Sequence, residues 1–267
     1  MLSAMNDVDD AQETDRIYTA ALLVIGDEIL SGRTADKNIA AVAGWLGVQG
    51  IRLVEARIVP DVQDRIVAAV EALRHTHDYL FTTGGIGPTH DDITVDAIAA
   101  ALGVPVVVHP DARRVLEDYY VTRGGITEAR LRMARVPEGA TLIANRMSGA
   151  PGIRHGNIFI MAGVPHIAQM MMEALTGVLA GGKPVLSRTI GGWVPESEVA
   201  DLLAETERAH ANAPGGVQIG SYPFFKQGRV GANFVVRSTD EARLQDCATD
   251  LLKKLTAQGY DVVAEQI

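Results

Sequence analysis

One cysteine, Cys247, is all that 267 residues contain, so no disulfide can close within the chain and no thiolate metal cluster can assemble in it. That scarcity points to a reducing, cytoplasmic setting, with Cys247 filling core space in a helix suggested by residues 241–258. Long apolar runs are missing too: the stretches 20–25 and 104–108 are strand-sized, so no membrane association is expected. The acidic, polar residues 1–15 do not read as a secretory leader, and residues 1–17 read as a disordered tail. Positive charge is scarce as well. Lys and Arg number 24 against 33 Asp and Glu, a net charge of −9, which argues against a nucleic-acid footprint but leaves room for a small phosphorylated ligand met by local positive potential. None of the seven histidines forms a zinc-type pair: His75 and His77 are expected solvated at a helix end, and His90 alone lies where it can contact a ligand. There is no P-loop ending in Gly-Lys-Ser/Thr, and no dinucleotide fingerprint.

What is present is an alternation of short apolar runs and amphipathic stretches. Strands are predicted at 19–25, 51–59, 79–83 and 158–162, with helices at 37–46, 61–75, 92–102, 111–120 and 165–179; residues between 120 and 158 read as Gly- and Pro-rich loops. Such an order predicts an α/β fold, a three-layer, mostly parallel sheet covered on both faces. Gly181, Gly182 and Pro184 break the pattern. The first domain is therefore placed at 18–180 and a second at 185–267, where strands (185–190, 217–222, 231–238, 260–264) and helices (196–210, 241–258) suit a small α+β domain with a mostly antiparallel sheet.

The strongest chemical signal is Thr82-Thr83-Gly84-Gly85-Ile86-Gly87-Pro88-Thr89-His90-Asp91-Asp92-Ile93-Thr94, running from a strand through a glycine turn into a helix. Glycines let the backbone approach a ligand, and free N–H groups at a helix start hold anions. Thr83, Gly84, Gly85, Gly87, Pro88, Thr89 and Thr94 are the candidate phosphate-binding residues. Asp91 and Asp92 would repel a phosphate unless a divalent cation lay between, and hard oxygen donors suit Mg²⁺ or Mn²⁺. Asp27 and Asp61 each follow a predicted strand, so Asp27, Asp61 and Asp92 are positioned to converge at the carboxyl edge of the sheet. The competing reading is that these aspartates and Thr94 merely cap helices. Two further glycine clusters, Gly149 to Gly152 and Gly163-Val164-Pro165, sit in or beside predicted loops and are open to plain turn chemistry.

These residues, with Gly26-Asp27-Glu28-Ile29-Leu30 and Val136-Pro137-Glu138-Gly139-Ala140, resemble the MoaB/Mog molybdopterin-binding domain over roughly residues 18–179. They resemble in particular the branch found in CinA-type competence/damage-inducible proteins and in the N-terminal part of FAD synthases. Gln218-Ile219-Gly220-Ser221-Tyr222-Pro223 and its surroundings are similar to the small domain that follows in the FAD synthase-like members. The resemblance implies that Asp61 and Asp92 are the catalytic positions, that Asp27, Asp91 and Asp92 hold a divalent metal (Mg²⁺, Mn²⁺ or Co²⁺), and that Gly149, Gly152 and Gly163 join the ligand site. In the Mog-type branch it implies molybdopterin as ligand and its adenylylation; in the CinA-type branch, hydrolysis of the pyrophosphate of ADP-ribose or FAD. Self-association into a homo-oligomer is common among such domains. The segment Met161-Ala162-Gly163-Val164-Pro165-His166-Ile167-Ala168 departs from the family's Leu-Pro-Gly-Val-Pro-x-Glu-Met. The given sequence ends at Ile267, so neither the deamidase domain of full CinA proteins nor an adenylyltransferase domain is expected in it.

Overall fold

The structure is a computed structural model that describes residues 16–211 and 216–264. The tail expected over residues 1–17 lies outside it as far as residue 15. Arg16, the first residue described, pairs with Asp78 at 2.6 Å. Contacts divide the chain into two compact units that meet between Gly182 and Lys183.

The first unit is built on a six-stranded sheet in the order β2-β1-β3-β8-β7-β6. β1 (Tyr18–Ile25), β2 (Ile51–Val59), β3 (Tyr79–Thr83) and β8 (Ile158–Met161) run parallel. β1 is a nearly unbroken apolar run buried along its length, as a central strand with both faces covered must be. Its alternate side chains serve two cores. Ala21, Leu23 and Ile25 pack with Ile66, Val70 and Leu73 of α3 (Gln63–Arg74) and Ile98 of α4 (Thr94–Leu102). Ala20, Leu22 and Val24 pack with Val42 and Leu46 of α2 (Asn38–Val48), Met171 and Met172 of α7 (Pro165–Glu173), and the stacked rings of Phe81 and Phe159, 4.9 Å apart. The result is the three-layer α/β arrangement. β2 sits at the sheet edge and alternates in burial accordingly. His77, expected in solvent, is turned inward: its side chain is only 8% exposed and faces Glu55 and the carbonyl of Leu73. His75, at 59%, is exposed as expected.

The helix predicted at 111–120 is present, and between residues 120 and 158, expected to form loops, the chain is more ordered than that. β4 (Val106–Val108) and β5 (Arg135–Pro137) pair in a separate two-stranded ribbon. β6 (Thr141–Ile143) and β7 (Gly152–His155) extend the main sheet antiparallel to β8. α5 (Pro110–Tyr120), the short α6 (Glu128–Leu131) and a 3-10 turn at Arg132–Ala134 fill the rest. A small separate core of Ala112, Leu116 and Ala134 holds this region together. α1 (Asp27–Leu30) is a single turn after β1.

In the second unit β9 (Leu186–Gly192), α8 (Ala200–Ala211), β10 (Gln218–Lys226), β11 (Arg229–Ser238), α9 (Glu241–Ala257) and β12 (Val262–Ala264) follow one another. The antiparallel sheet has the order β10-β11-β9-β12, a split β-α-β pattern. Phe234, Val236 and Ile190 of the sheet meet Leu244, Cys247, Leu251 and Leu255 of α9. None of the described helices is long and apolar enough to cross a membrane.

Candidate functional site

β1 has β2 on one side and β3 on the other, so the sheet order reverses there and the connections beyond these strands diverge. A crevice forms outside the carboxyl ends of strands at such a point, and the glycine turn after β3 sits at it. Gly84 adopts φ +103°, and a Cβ there would lie 2.1 Å from the carbonyl oxygen of Ile25, the last residue of β1. Only glycine admits that approach. At Gly85, φ +66°, a Cβ would lie 2.1 Å from Thr94 Oγ1. The turn is held by three bonds: Gly84 N–H donates to Met161 O (3.1 Å), Thr94 N–H to Gly85 O (3.0 Å) and the Thr94 hydroxyl to Gly84 O (2.9 Å). Thr94 therefore locks the turn rather than capping α4.

This bonding leaves the N–H groups of Gly85, Ile86 and Gly87 without an acceptor among the described residues. Gly85, Ile86, Gly87 and Asp92 line a narrow cleft together with Arg132, Arg135 and Pro151. Arg135 is ion-paired with Asp96, also in the cleft. Thr83 Oγ1 and Asn38 Oδ1 are buried and find no partner among the described residues; buried polar atoms of this kind ordinarily have one.

The aspartates separate into two groups. The Asp61 carboxylate accepts the backbone N–H of Asp27 at 2.9 Å, bridging the ends of β2 and β1 instead of capping its own helix, which has no side-chain cap. Burial first, and then the negative charges of Asp27, Glu28 and Asp91, push the Asp61 carboxyl above its ordinary range against that hydrogen bond. Asp92, expected to converge with Asp27 and Asp61, points elsewhere. Its Oδ2 accepts from Thr89 N at 2.7 Å and from Thr89 Oγ1 at 2.5 Å, so its place is in a staple across the loop. Asp91 is the loop carboxylate whose charge reaches Asp61. His90 is 96% exposed and does not line the cleft; Pro88 and Thr89 are exposed at the loop tip.

Gly149 and Gly152 have packing reasons of their own. A Cβ at Gly149 would meet the Tyr119 ring at 2.6 Å, and one at Gly152 the Met171 sulfur at 3.0 Å. Gly163 does belong to the site edge: its carbonyl accepts from Asn38 Nδ2 at 2.9 Å, and a Cβ there would lie 3.1 Å from Gly84 Cα. Sequence reasoning missed Asn38 and its neighbour Asp36, whose Oδ1 caps Ile39 N–H at 2.8 Å while Oδ2 is buried without a partner among the described residues. The available signal was an asparagine at the first position of α2, on a helix otherwise apolar. Arg132 was missed as well.

Among the described residues no three His, Cys, Asp or Glu side chains come together as a set able to hold a metal ion, so Asp27, Asp91 and Asp92 are not a preassembled cage. The donor chemistry still fits a hard cation shared with a ligand, because Mg²⁺ takes one or two carboxylates and fills its remaining positions with water and phosphate. The mutual repulsion around Asp61 is what such a charge relieves.

Residues 21–181 match the family profile described as "Probable molybdopterin binding domain". The chain belongs to this molybdopterin-binding-domain family. Residues 184–263 match a second profile, described as the middle domain of FAD synthase. A CinA-like protein of Desulfosudis oleivorans is 38% identical over 199 residues, covering 69% of this chain and 48% of that protein. A protein of Pyrobaculum calidifontis is 34% identical over 201 residues, 71% and 76% of the respective chains. The present chain thus spans about half the length of the CinA-like relative. Among solved structures, CinA of unknown function from Thermoplasma acidophilum superposes with a TM-score of 0.57 at 30% identity, covering 61% of this chain and 98% of that one.

Proposed function

We propose that the first unit binds a phosphoanhydride ligand of the nucleotide class and hydrolyses it with the help of a divalent cation. The observation that carries this reading is the row of acceptor-free N–H groups at Gly85, Ile86 and Gly87, three residues that line a cleft beside the switch point of the sheet. Fixed main-chain donors of this kind hold phosphate and stabilise the charge that grows on it during transfer. Asp27 and Asp91 are the carboxylates that would hold a divalent cation, which would supply charge to neutralise the phosphate. Asp61 would accept a hydrogen bond from the attacking water. The oxygen of that water bonds to one phosphorus, the bridging P–O bond breaks, and the bridging oxygen leaves on the other phosphate; the proton of water passes through Asp61 to solvent. Asp92 contributes by fixing the loop through Thr89.

Incubation with ADP-ribose or FAD and Mg²⁺, Mn²⁺ or Co²⁺ is expected to release AMP. No release across that panel removes the hydrolase reading. A second reading, binding or adenylylation of molybdopterin, is favoured by the family match over residues 21–181. Transfer of AMP from ATP onto molybdopterin would establish it. Thermal stabilisation by a pterin or nucleotide that stays chemically intact would identify a non-catalytic binding module instead.

A further inference from the structure

We propose that the open face of the four-stranded sheet in the second unit binds single-stranded nucleic acid, its aromatic rings stacking on bases and its cations meeting phosphates. The proposal concerns a surface separate from the ligand site of the first unit and does not depend on it.

Strand register assigns the two faces of this sheet. Successive residues of a strand point to opposite sides, and Ala232, Phe234 and Val236 of β11 are buried in a core into which both α8 and α9 pack. The alternate residues Arg229 and Arg237 therefore lie on the face that these helices leave open. Pairing of β10 with β11 brings Tyr222, Phe224 and Lys226 to the same side. Trp193, which follows β9 directly, meets Phe224 edge to face with ring centroids 5.5 Å apart. The Arg229 guanidinium lies 4.5 Å over the Trp193 ring, the Lys226 ammonium 5.3 Å over Phe224, and the Arg237 guanidinium 5.5 Å over Tyr222. Tyr222 is 47% exposed, a large ring left in solvent.

The electrostatics select an anion. None of these three cations has an ion pair among the described residues; each is held against a ring, whose quadrupole orients a cation without neutralising it. The four strands contain no acidic residue, so the net charge of −9, a sum over the whole chain, does not describe this face. The geometry then selects a strand over a lone nucleotide. Arg229 and Arg237 stand at opposite ends of β11, roughly 26 Å apart at the usual rise of a strand. One nucleotide reaches one end, whereas a chain of repeating phosphates serves both. In a duplex the base faces are stacked on one another, so only an unpaired strand can lay its bases on the rings. A four-stranded sheet with one open aromatic face is a known way of doing so, and each stacked base contributes a factor of about 5 to 150 in affinity.

The experiment is fluorescence anisotropy of the full chain, in EDTA, with labelled RNA and DNA single strands of about 12 nucleotides and with the matching DNA duplex. Wild type, Tyr222→Ala, Tyr222→Phe and Arg229→Ala are compared at several salt concentrations, with a melting curve for each. Wild type is expected to bind a single strand at least about 10-fold more tightly than the duplex. Tyr222→Ala should weaken that binding by about 5-fold or more, and Tyr222→Phe, which keeps the ring, should restore most of it. Arg229→Ala should weaken binding and reduce the slope of log affinity against log salt by about 0.7. Tighter binding of either RNA or DNA supports the proposal and names the sugar preferred. Absence of single-strand binding, equal affinity for the duplex, or wild-type affinity in both alanine variants overturns it. So does self-association in sedimentation that Tyr222→Ala abolishes while no strand binds, which would assign the face to a second copy of the chain. If Tyr222→Ala fails to fold, the salt slope of Arg229→Ala decides, and an unchanged slope refutes the site.

Discussion

The hydroxyl of Thr94 donates to the carbonyl of Gly84 at 2.9 Å, and it does so through the space that a side chain at Gly85 would occupy. Two substitutions test this arrangement from opposite ends. Gly85→Ala forces a Cβ into positive φ and against Thr94 Oγ1, so ligand affinity should fall at least about 10-fold. Thr94→Val leaves a buried carbonyl without its donor and should cost about 1–3 kcal/mol in urea unfolding. Wild-type affinity for Gly85→Ala would mean that the turn does not approach the ligand.

Asp61→Asn should stabilise the protein while impairing it. The folded state raises the proton affinity of Asp61 through burial and three neighbouring carboxylates, so the folded chain binds a proton there more readily than the unfolded chain does. The ionised group therefore costs stability above the raised value, and the cost disappears as pH falls through the carboxylate range. Because the site is partly screened by solvent, the gain at about pH 7 should be up to about 2 °C in Tm, measured in EDTA, and should close towards about pH 4. Turnover should drop sharply in the same variant. A Tm difference that widens on acidification would contradict the sign.

Asp92→Ala should act on the loop rather than on global stability. Removing the acceptor of Thr89 N and Oγ1 frees a segment that carries no buried side chain between Pro88 and Asp91. Hydrogen exchange at the Thr89 amide is expected to rise by about 10-fold or more, with Tm changed by less than about 2 °C. Unaltered exchange at Thr89 would show that the staple does not hold in solution.

Cys247 should be inert in the native protein. It is fully buried in the core of the second unit, and burial, then the charge of Asp250, raises its thiol to about 11. A disulfide reagent should titrate no thiol until denaturant is added; rapid native labelling would mean that α9 opens.

The parts of this fold that can be read from sequence are those whose burial repeats over many residues. β1, buried at seven of its eight positions, and α3, with Ile66, Val70 and Leu73 on one face, carry a pattern long enough to recognise. β4, β5 and β6 are three residues each, and β5 ends in Pro137; nothing that short carries a period, and their pairing is set by partners distant along the chain. The glycine turn was legible because its backbone requires glycine at two positions. Where the acidic side chains point was not. Asp91 and Asp92 are adjacent and chemically alike, and it is the hydrogen bonds of Thr89, a tertiary detail, that turn Asp92 into the loop. Arg132 carried no signal at all, since a cation in a 3-10 turn looks like any surface arginine until the lining of the cleft is known.

The segment around Gly163 departs in spelling from the pattern Leu-Pro-Gly-Val-Pro-x-Glu-Met, yet what it contributes here is a carbonyl oxygen and an empty volume: the Asn38 amide grips the one, and Gly84 occupies the other. Neither depends on the lettering at 161, 162, 167 or 168. Such a joint tolerates drift in its flanks as long as the small residue itself stays, so divergence there is a poor guide to lost activity.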